Sequence, residues 1–307
     1  MIRALEPADA PVLVGLIHRL VPAWVLSEDG LRHWLETQPD RARHAGWVAL
    51  EEGALVGWAE SRLRWEFGPE VAAVFVGVHP DHRRRGIGGR LYELAETHVA
   101  AAKRLYAESD GGDDARRFLL ARGYREDRAE RVSVLDPRAV DPSLLRDLEE
   151  AKRREGFGVF PLAEVVDRGP ELHRLFETVD ADAPHSEPLA AISYEEWRAL
   201  VFDQPDLDHE ASFVVLAPDG RAVAFSWLLV DRGRHRAAVE MTGTLREFRR
   251  RGLARLAKLA TIRWAGENGI TAIYAGNDTE NQAMLALNGD LGFEPSIVYQ
   301  DFVKELR

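Results

Sequence analysis

The chain has 307 residues, no cysteine, 46% hydrophobic residues and a formal net charge of −11 at pH 7. That length suits two cores better than one, and the missing thiol excludes disulfides, thiolate metal sites and a cysteine nucleophile. The acidic balance argues against a nucleic-acid partner, whose phosphates need a basic face.

The opening MIRALEPADAP lacks a basic-then-apolar leader, and no apolar run reaches membrane-spanning length. The expected address is the cytoplasm, with no membrane partner. Residues 7–20 and 27–35 carry helical periodicity, the second with Ser27 placed to cap it. Strand patterns at 46–50 and 54–64 flank the turn Glu51-Glu52-Gly53. A strand at 72–78, a helix at 89–102, a strand at 104–108, a helix at 114–122 and a strand at 130–135 complete the first half.

Residues 138–156 contain Pro142 and the mixed-charge run RDLEEAKRRE, which reads as a solvated linker with a short helix. The alternation then restarts with a strand at 157–160 and helices at 162–179 and 194–202. A hairpin joins 212–216 to 222–230 across Pro218-Asp219-Gly220. A strand at 237–245, a helix from Gly252, a strand at 272–275, a helix from Asn281 and a strand at 297–303 end the series. Helices interleaved with strands predict an α/β protein, and the hairpins make each sheet mixed. The expected domains are 1–137 and 157–307, joined by the linker 138–156.

The run VFVGVHPDHRRRGIGGRL at 74–91 returns as VEMTGTLREFRRRGLARL at 239–256. Each copy has an apolar strand, a short turn, three arginines, a small-residue turn and a helical pattern: an internal repeat. A strand ending in a glycine turn that opens a helix points unpaired backbone N–H groups in one direction, and the helix dipole adds positive potential there. Gly86, Gly88 and Gly89 in the first copy, and Gly252 and Ala254 in the second, keep side chains away from an incoming pyrophosphate. Arg83, Arg84 and Arg85, and Arg249, Arg250, Arg251 and Arg255, add charge and bidentate donors, while Ile87 and Leu253 complete the two loops. A dinucleotide site would need G-x-G-x-x-G after the first strand and an acid about 20 residues on. Glu108 stands near that acid's place, but Leu91 replaces the third glycine and the second copy reads Gly-Leu-Ala.

The pattern Arg-x-x-Gly-x-Gly/Ala resembles the acetyl-CoA loop of the GNAT superfamily of N-acetyltransferases. Each half also carries a helix ending in Gly-aromatic, the superfamily's closing signature: ARRFLLARGY at 115–124 and NQAMLALNGDLGF at 281–293. The stretch NDTENQAMLALNGDLGFEP further resembles the C-terminal domain of tandem GNAT proteins of the mycothiol-synthase-like type. This resemblance implies two tandem GNAT-like domains, each a mixed, mostly antiparallel sheet flanked by helices. It also implies acetyl-CoA as cosubstrate, no metal, and direct attack by a primary amine of a small molecule in a ternary complex. The C-terminal domain would do most of the work, and the N-terminal one would be degenerate or bind cofactor without turnover.

Acetyl transfer to an amine requires removal of an ammonium proton, stabilisation of an oxyanion and release of a thiolate. The resemblance places a backbone N–H of the strand before the loop on the thioester; Val78 and Thr244 occupy that neighbourhood. It also implies a carboxylate base on that strand. Glu240 either faces solvent there or serves as the base, with its pKa raised by partial burial. The strand at 71–78 has no ionisable side chain, leaving Glu60 through a water as the first half's alternative. The superfamily's acid, a tyrosine four residues before the closing glycine, is replaced by Leu119 and Asn288. Asn288 can donate to the leaving sulfur, and a thiol pKa of about 8.5 permits release as thiolate.

Asn277, Asn281 and Asn288 read either as a helix cap and surface residues or as a polar wall for the pantetheine arm. His79, His82, His185 and His209 lack metal-ligand spacing and read as solvated. Trp197 is expected to pack inward, and Trp58, Trp65 and Trp227 to belong to the core. Two other readings stay open: a non-catalytic acyl-CoA-binding or regulatory module, favoured by the absent tyrosine, and acetylation of a protein amine. Monomer and homodimer are both compatible with the sequence.

Overall fold

The computed structural model describes residues 1–110, 112–184, 187 and 189–306. The chain forms two units, neither contiguous in sequence. The first comprises Met1–Glu130, His185–Ile192 and Ile297–Arg307; the second comprises Arg131–Pro184 and Ser193–Ser296.

The first unit is built from β1 (Ile2–Ala4), α1 (Ala10–Leu20), α2 (Glu28–Thr37), β2 (Ala45–Glu51), β3 (Ala54–Leu63), β4 (Val71–Val78), α3 (Ile87–His98), β5 (Arg104–Ser109) and α4 (Asp113–Leu120). Strands β1 to β5 lie side by side in chain order, antiparallel except for the parallel pair β4–β5. Ser27 Oγ accepts the N–H of Gly30 at 2.9 Å, the expected cap of α2. Ile87, Leu91, Tyr92 and Ala95 of α3 cover one sheet face, against Ala59, Ala72, Val74 and Leu105. α1 and α2 cover Trp58 on the other face. Gly77 is required there, since a Cβ would fall 2.0 Å from the Trp58 ring.

Next in the chain come β6 (Arg125–Leu135), α5 (Ser143–Arg154), β7 (Gly158–Pro161), α6 (Gly169–Asp180), α7 (Tyr194–Trp197), β8 (Phe213–Leu216), β9 (Ala222–Asp231), β10 (Arg236–Thr244), α8 (Leu253–Glu267), β11 (Ala272–Asp278), α9 (Gln282–Asp290) and β12 (Glu294–Glu305). In the second unit the strand order is β7-β8-β9-β10-β11, with β10–β11 parallel and the other pairs antiparallel. Trp197 and Trp227 are buried as expected, whereas Trp65 is only half-buried, beneath the Arg41 guanidinium at 4.0 Å.

Each sheet receives its last strand from the other half of the chain. Gln300 to Glu305 of β12 pair antiparallel with β5, and the fully buried Phe302 joins the first core. β6 neighbours β11, and its residues from Arg131 on belong to the second unit, with Leu135 in that unit's core. Boundaries at 137 and 157 do not anticipate this exchange: periodicity reports that a strand exists, not which edge it joins. Residues 138–156 are not a solvated linker either. Leu145 and Leu148 seat α5 on α8, so the segment belongs to the second unit and its charges line the outer helix face. Among the described residues no helix is long and apolar enough to cross a membrane.

Phe302→Ala is expected to cost the first unit about 3–5 kcal/mol. Hydrogen exchange should then lose protection in α3, β4 and β5 while β8–β10 keep theirs. Loss confined to β8–β10 would show that β12 serves the other core.

Candidate active site

The two loops repeat in backbone as well as in sequence. Arg84 and Gly86 have φ of 63° and 79°, and Arg250 and Gly252 have 58° and 77°. An arginine in the left-handed region is uncommon, and the same position takes it twice. The turn aims the first three amides of each helix, those of Ile87, Gly88 and Gly89 and of Leu253, Ala254 and Arg255, away from any intrahelical acceptor. A Cβ at Gly86 would meet nothing within 4 Å, so the first nest is open. Ile87 and Leu253 are buried in the cores and bring only their backbone to the nests.

The arginines divide by role. Arg83 Nε donates to the Val78 carbonyl at 3.1 Å, and Arg249 Nε to the Thr244 carbonyl at 3.1 Å. These bonds brace loop against strand through the first arginine of each triplet. Arg249 and Arg246 both grip Asp182, and the Arg246 hydrogen bond holds that carboxyl below the usual range. Arg85 lies 3.2 Å from Glu51, Arg251 3.3 Å from Glu155, and Arg255 3.7 Å from Asp290. Arg84 is exposed, 3.8 Å from Asp114, and Arg250 makes no ion pair among the described residues. Two further cations flank the nests. A Cβ at Gly89 would sit 3.5 Å from Arg122, and one at Gly252 would sit 3.8 Å from Lys152 of the supposed linker.

Beside each nest the sheet opens. β4 pairs with β5 only over Val71–Ala73, and β10 with β11 only over Arg236–Ala238, while both keep their antiparallel neighbours to Val78 and Thr244. The resulting wedge frees backbone N–H and C=O groups along one strand edge, which an amide-bearing arm can satisfy.

Glu240 lies on β10 beyond that strand's last pairing with β11. Going back from the loop, Val78 to Val74 pair with Gly57 to Ser61 without interruption. Thr244 to Met241 pair with Ala224 to Trp227, but Leu228 pairs with Val239. Glu240 is therefore a bulge residue with no counterpart in β4. Bulges re-aim side chains, and this one turns a carboxylate out of an apolar strand. Its side chain is reached by solvent, yet the surrounding protein and the Asp180 charge push its carboxyl above the ordinary range.

The three asparagines part company. Asn281 caps α9, its Oδ1 accepting the Met284 N–H at 3.3 Å. Asn288 is 1% exposed, not a surface residue. Its Oδ1 accepts from Lys258 Nζ, and its Nδ2 donates to Asn277 Oδ1 at 2.6 Å. Leu119 is buried in the first core. The histidines are less solvated than expected: His82 Nδ1 lies 2.7 Å from Glu51, His79 Nδ1 accepts the Asp81 N–H, and His209 Nε2 lies 3.0 Å from the Phe202 carbonyl. His185 lies outside the described residues. Among the described residues no group of three His, Asp or Glu side chains could hold a metal ion.

In the first unit Glu60 is engaged by His44 at 3.0 Å and Trp34 at 3.4 Å, which leaves it poorly placed as a relay. The carboxyl of note is Glu108, on β5 beyond its last pairing with β4 and directly opposite Asp301. Burial, Asp301 and Glu130 push it up to about 8.

Each half of the chain thus has free helix-start amides beside an opened parallel pair of strands, an arrangement that can take a phosphate-bearing carrier with an extended arm. The acetyltransferase (GNAT) family model matches residues 15–124 and 171–293. Similar proteins include the mycothiol acetyltransferases of Amycolatopsis mediterranei (strain U-32), 28% identical over 80% of this chain and 79% of that one, and of Rhodococcus jostii (strain RHA1), 28% identical over 93% and 86%. The fold matches a tandem GNAT protein from the clavulanic acid biosynthesis pathway (TM-score 0.71, 21% identity, covering 100% of this chain and 98% of that one). It also matches a GCN5-related N-acetyltransferase from Sphaerobacter thermophilus (TM-score 0.70, 20% identity, covering 100% and 96%). The chain belongs to the acetyltransferase (GNAT) family, carries its domain twice, and is an acetyl-CoA-dependent N-acetyltransferase.

Glu108 makes a prediction for stability. Folded, it keeps its proton to about pH 8 instead of the ordinary 4.5, so the folded state binds more protons than the unfolded between those values and stability falls as pH rises. The Tm advantage of Glu108→Gln over wild type should therefore grow from pH 5 to pH 8. A constant difference would mean that Glu108 titrates normally.

Proposed function

We propose that the second unit transfers the acetyl group to a primary amine of a small molecule, by direct attack in a ternary complex. The observation that carries this reading is the bulge at Glu240, an acid on β10 beyond that strand's last pairing with β11 and on the strand that leads into the Gly252 loop. The relatives named mycothiol acetyltransferase support a small-molecule acceptor.

The chain's own groups suit each requirement. The amides of Leu253, Ala254 and Arg255, with Arg250 and Lys152 near by, cradle the diphosphate. The unpaired edge of β10 aligns the pantetheine arm and offers an N–H to the thioester oxygen as it gains charge. Glu240, whose carboxyl the surrounding protein and Asp180 hold above its ordinary range, takes a proton from the acceptor ammonium. The freed amine forms the C–N bond, the C–S bond breaks, the thiolate leaves toward the asparagine chain, and the acylated nitrogen gives its remaining extra proton to solvent. For the first unit the reading is cofactor binding without turnover, because β4 has neither bulge nor ionisable side chain.

Glu240→Gln should lower kcat by about 10²–10⁴-fold in a thiol-release assay over an amine panel, with acetyl-CoA binding retained. Equal rates for variant and wild type at every pH would remove Glu240 from the mechanism. No thiol release with any amine would favour a binding module.

A further inference from the structure

Beneath the second nest lies a cation that the transfer chemistry above does not use. Lys258, on α8, is 1% exposed, and among the described residues its ammonium meets no carboxylate. Its neighbours are the Asn288 carbonyl oxygen and the Phe293 ring, 5.1 Å away. A buried ammonium without a counter-ion is costly, and burial alone lowers its pKa to about 7, so an anion arriving within reach would hold it in its charged form.

The contacts form a chain with a direction. An ammonium only donates, so Asn288 must turn its Oδ1 toward Lys258 and its Nδ2 away. That Nδ2 donates to Asn277 Oδ1 at 2.6 Å, which leaves the Asn277 amide nitrogen facing onward with no protein acceptor among the described residues. Lys258 and Asn288 are sealed, whereas Asn277 is half-buried, on β11 past its last pairing with β10. The open end of the chain is therefore a donor, placed where the two strands have parted.

We propose that Lys258 is a positioning residue which, through Asn288, orients Asn277 to present an N–H donor to the coenzyme sulfur as it leaves. This rests on the reading of the second unit as the transfer site. The missing counter-ion is then the thiolate itself: the C–S bond breaks, the electron pair stays on sulfur, and a cation-polarised amide receives it. The chain replaces the absent tyrosine with a donor that gives up no proton, so the thiolate takes its proton later from solvent.

The test is the titration of CoA bound to the full chain, read by thiolate ultraviolet absorbance, with desulfo-CoA as the blank. Wild type should titrate about one pH unit below a free thiol of about 8.5. Lys258→Met should lose that shift, with kcat lowered and the KM for acetyl-CoA unchanged. Asn288→Asp, which keeps the shape, pairs with Lys258 and draws the Asn277 amide inward, so the bound thiol should titrate at or above the free value. Asn277→Leu, at the accessible end, gives the same loss of shift if Lys258→Met does not fold. Variants that bind CoA and titrate like wild type overturn this inference and leave the transfer reading standing. Absence of CoA binding to the second unit overturns the transfer reading, and this inference with it.

Discussion

At the start of α3 and again of α8, three backbone amides face away from their helix with nothing in the helix to accept them. Polar groups of this kind are tolerated only where water or a ligand meets them, and the helix dipole makes an anion the preferred partner. The left-handed residues in each loop, the arginine clasp onto the preceding strand and the parted parallel strands all maintain that geometry. Arg83 and Arg249 spend their Nε groups on carbonyls, which braces each loop against its strand, while Arg250 makes no ion pair among the described residues.

The two units share the cradle and differ in what surrounds it. β10 carries one residue more than its partner strand accommodates, and that residue is an acid. β4 runs in regular register, and its wedge is bordered by Phe75 stacked on Trp58. Behind the second wedge a lysine and two asparagines form a polar chain, while Leu119 stands on the helix that follows the first wedge. The repeat thus presents two nests of the same geometry, and one extra residue in β10 is what separates the proposed reaction site from the proposed binding site.

What the sequence disclosed follows from how local each feature is. The nests were legible because glycines and arginines at fixed spacing dictate the turn by themselves, as Ser27 and Asn281 dictate their caps. Glu240 was visible as an acid in an apolar strand, but its bulge depends on register against β9, which no window of β10 contains. The exchange of β6 and β12 was hidden for the same reason. α5 looked like a linker because its charges outnumber the two leucines that seat it. Lys258 was hidden in LAKLA, where the flanking apolar residues make one lysine look like a solvated position. Its burial arises only when α9 brings Asn288 and the following Phe293 over it.

The most direct measurement is calorimetric titration of acetyl-CoA into wild type, Gly86→Val, Gly252→Val and the double variant, with folding checked by circular dichroism. Valine at either glycine opposes the left-handed turn that sets the amides. Wild type should release heat, each single variant should lose one class of site, and the double variant should show none. Undiminished heat from a folded double variant, or none from wild type, would contradict the claim that these two nests hold the coenzyme.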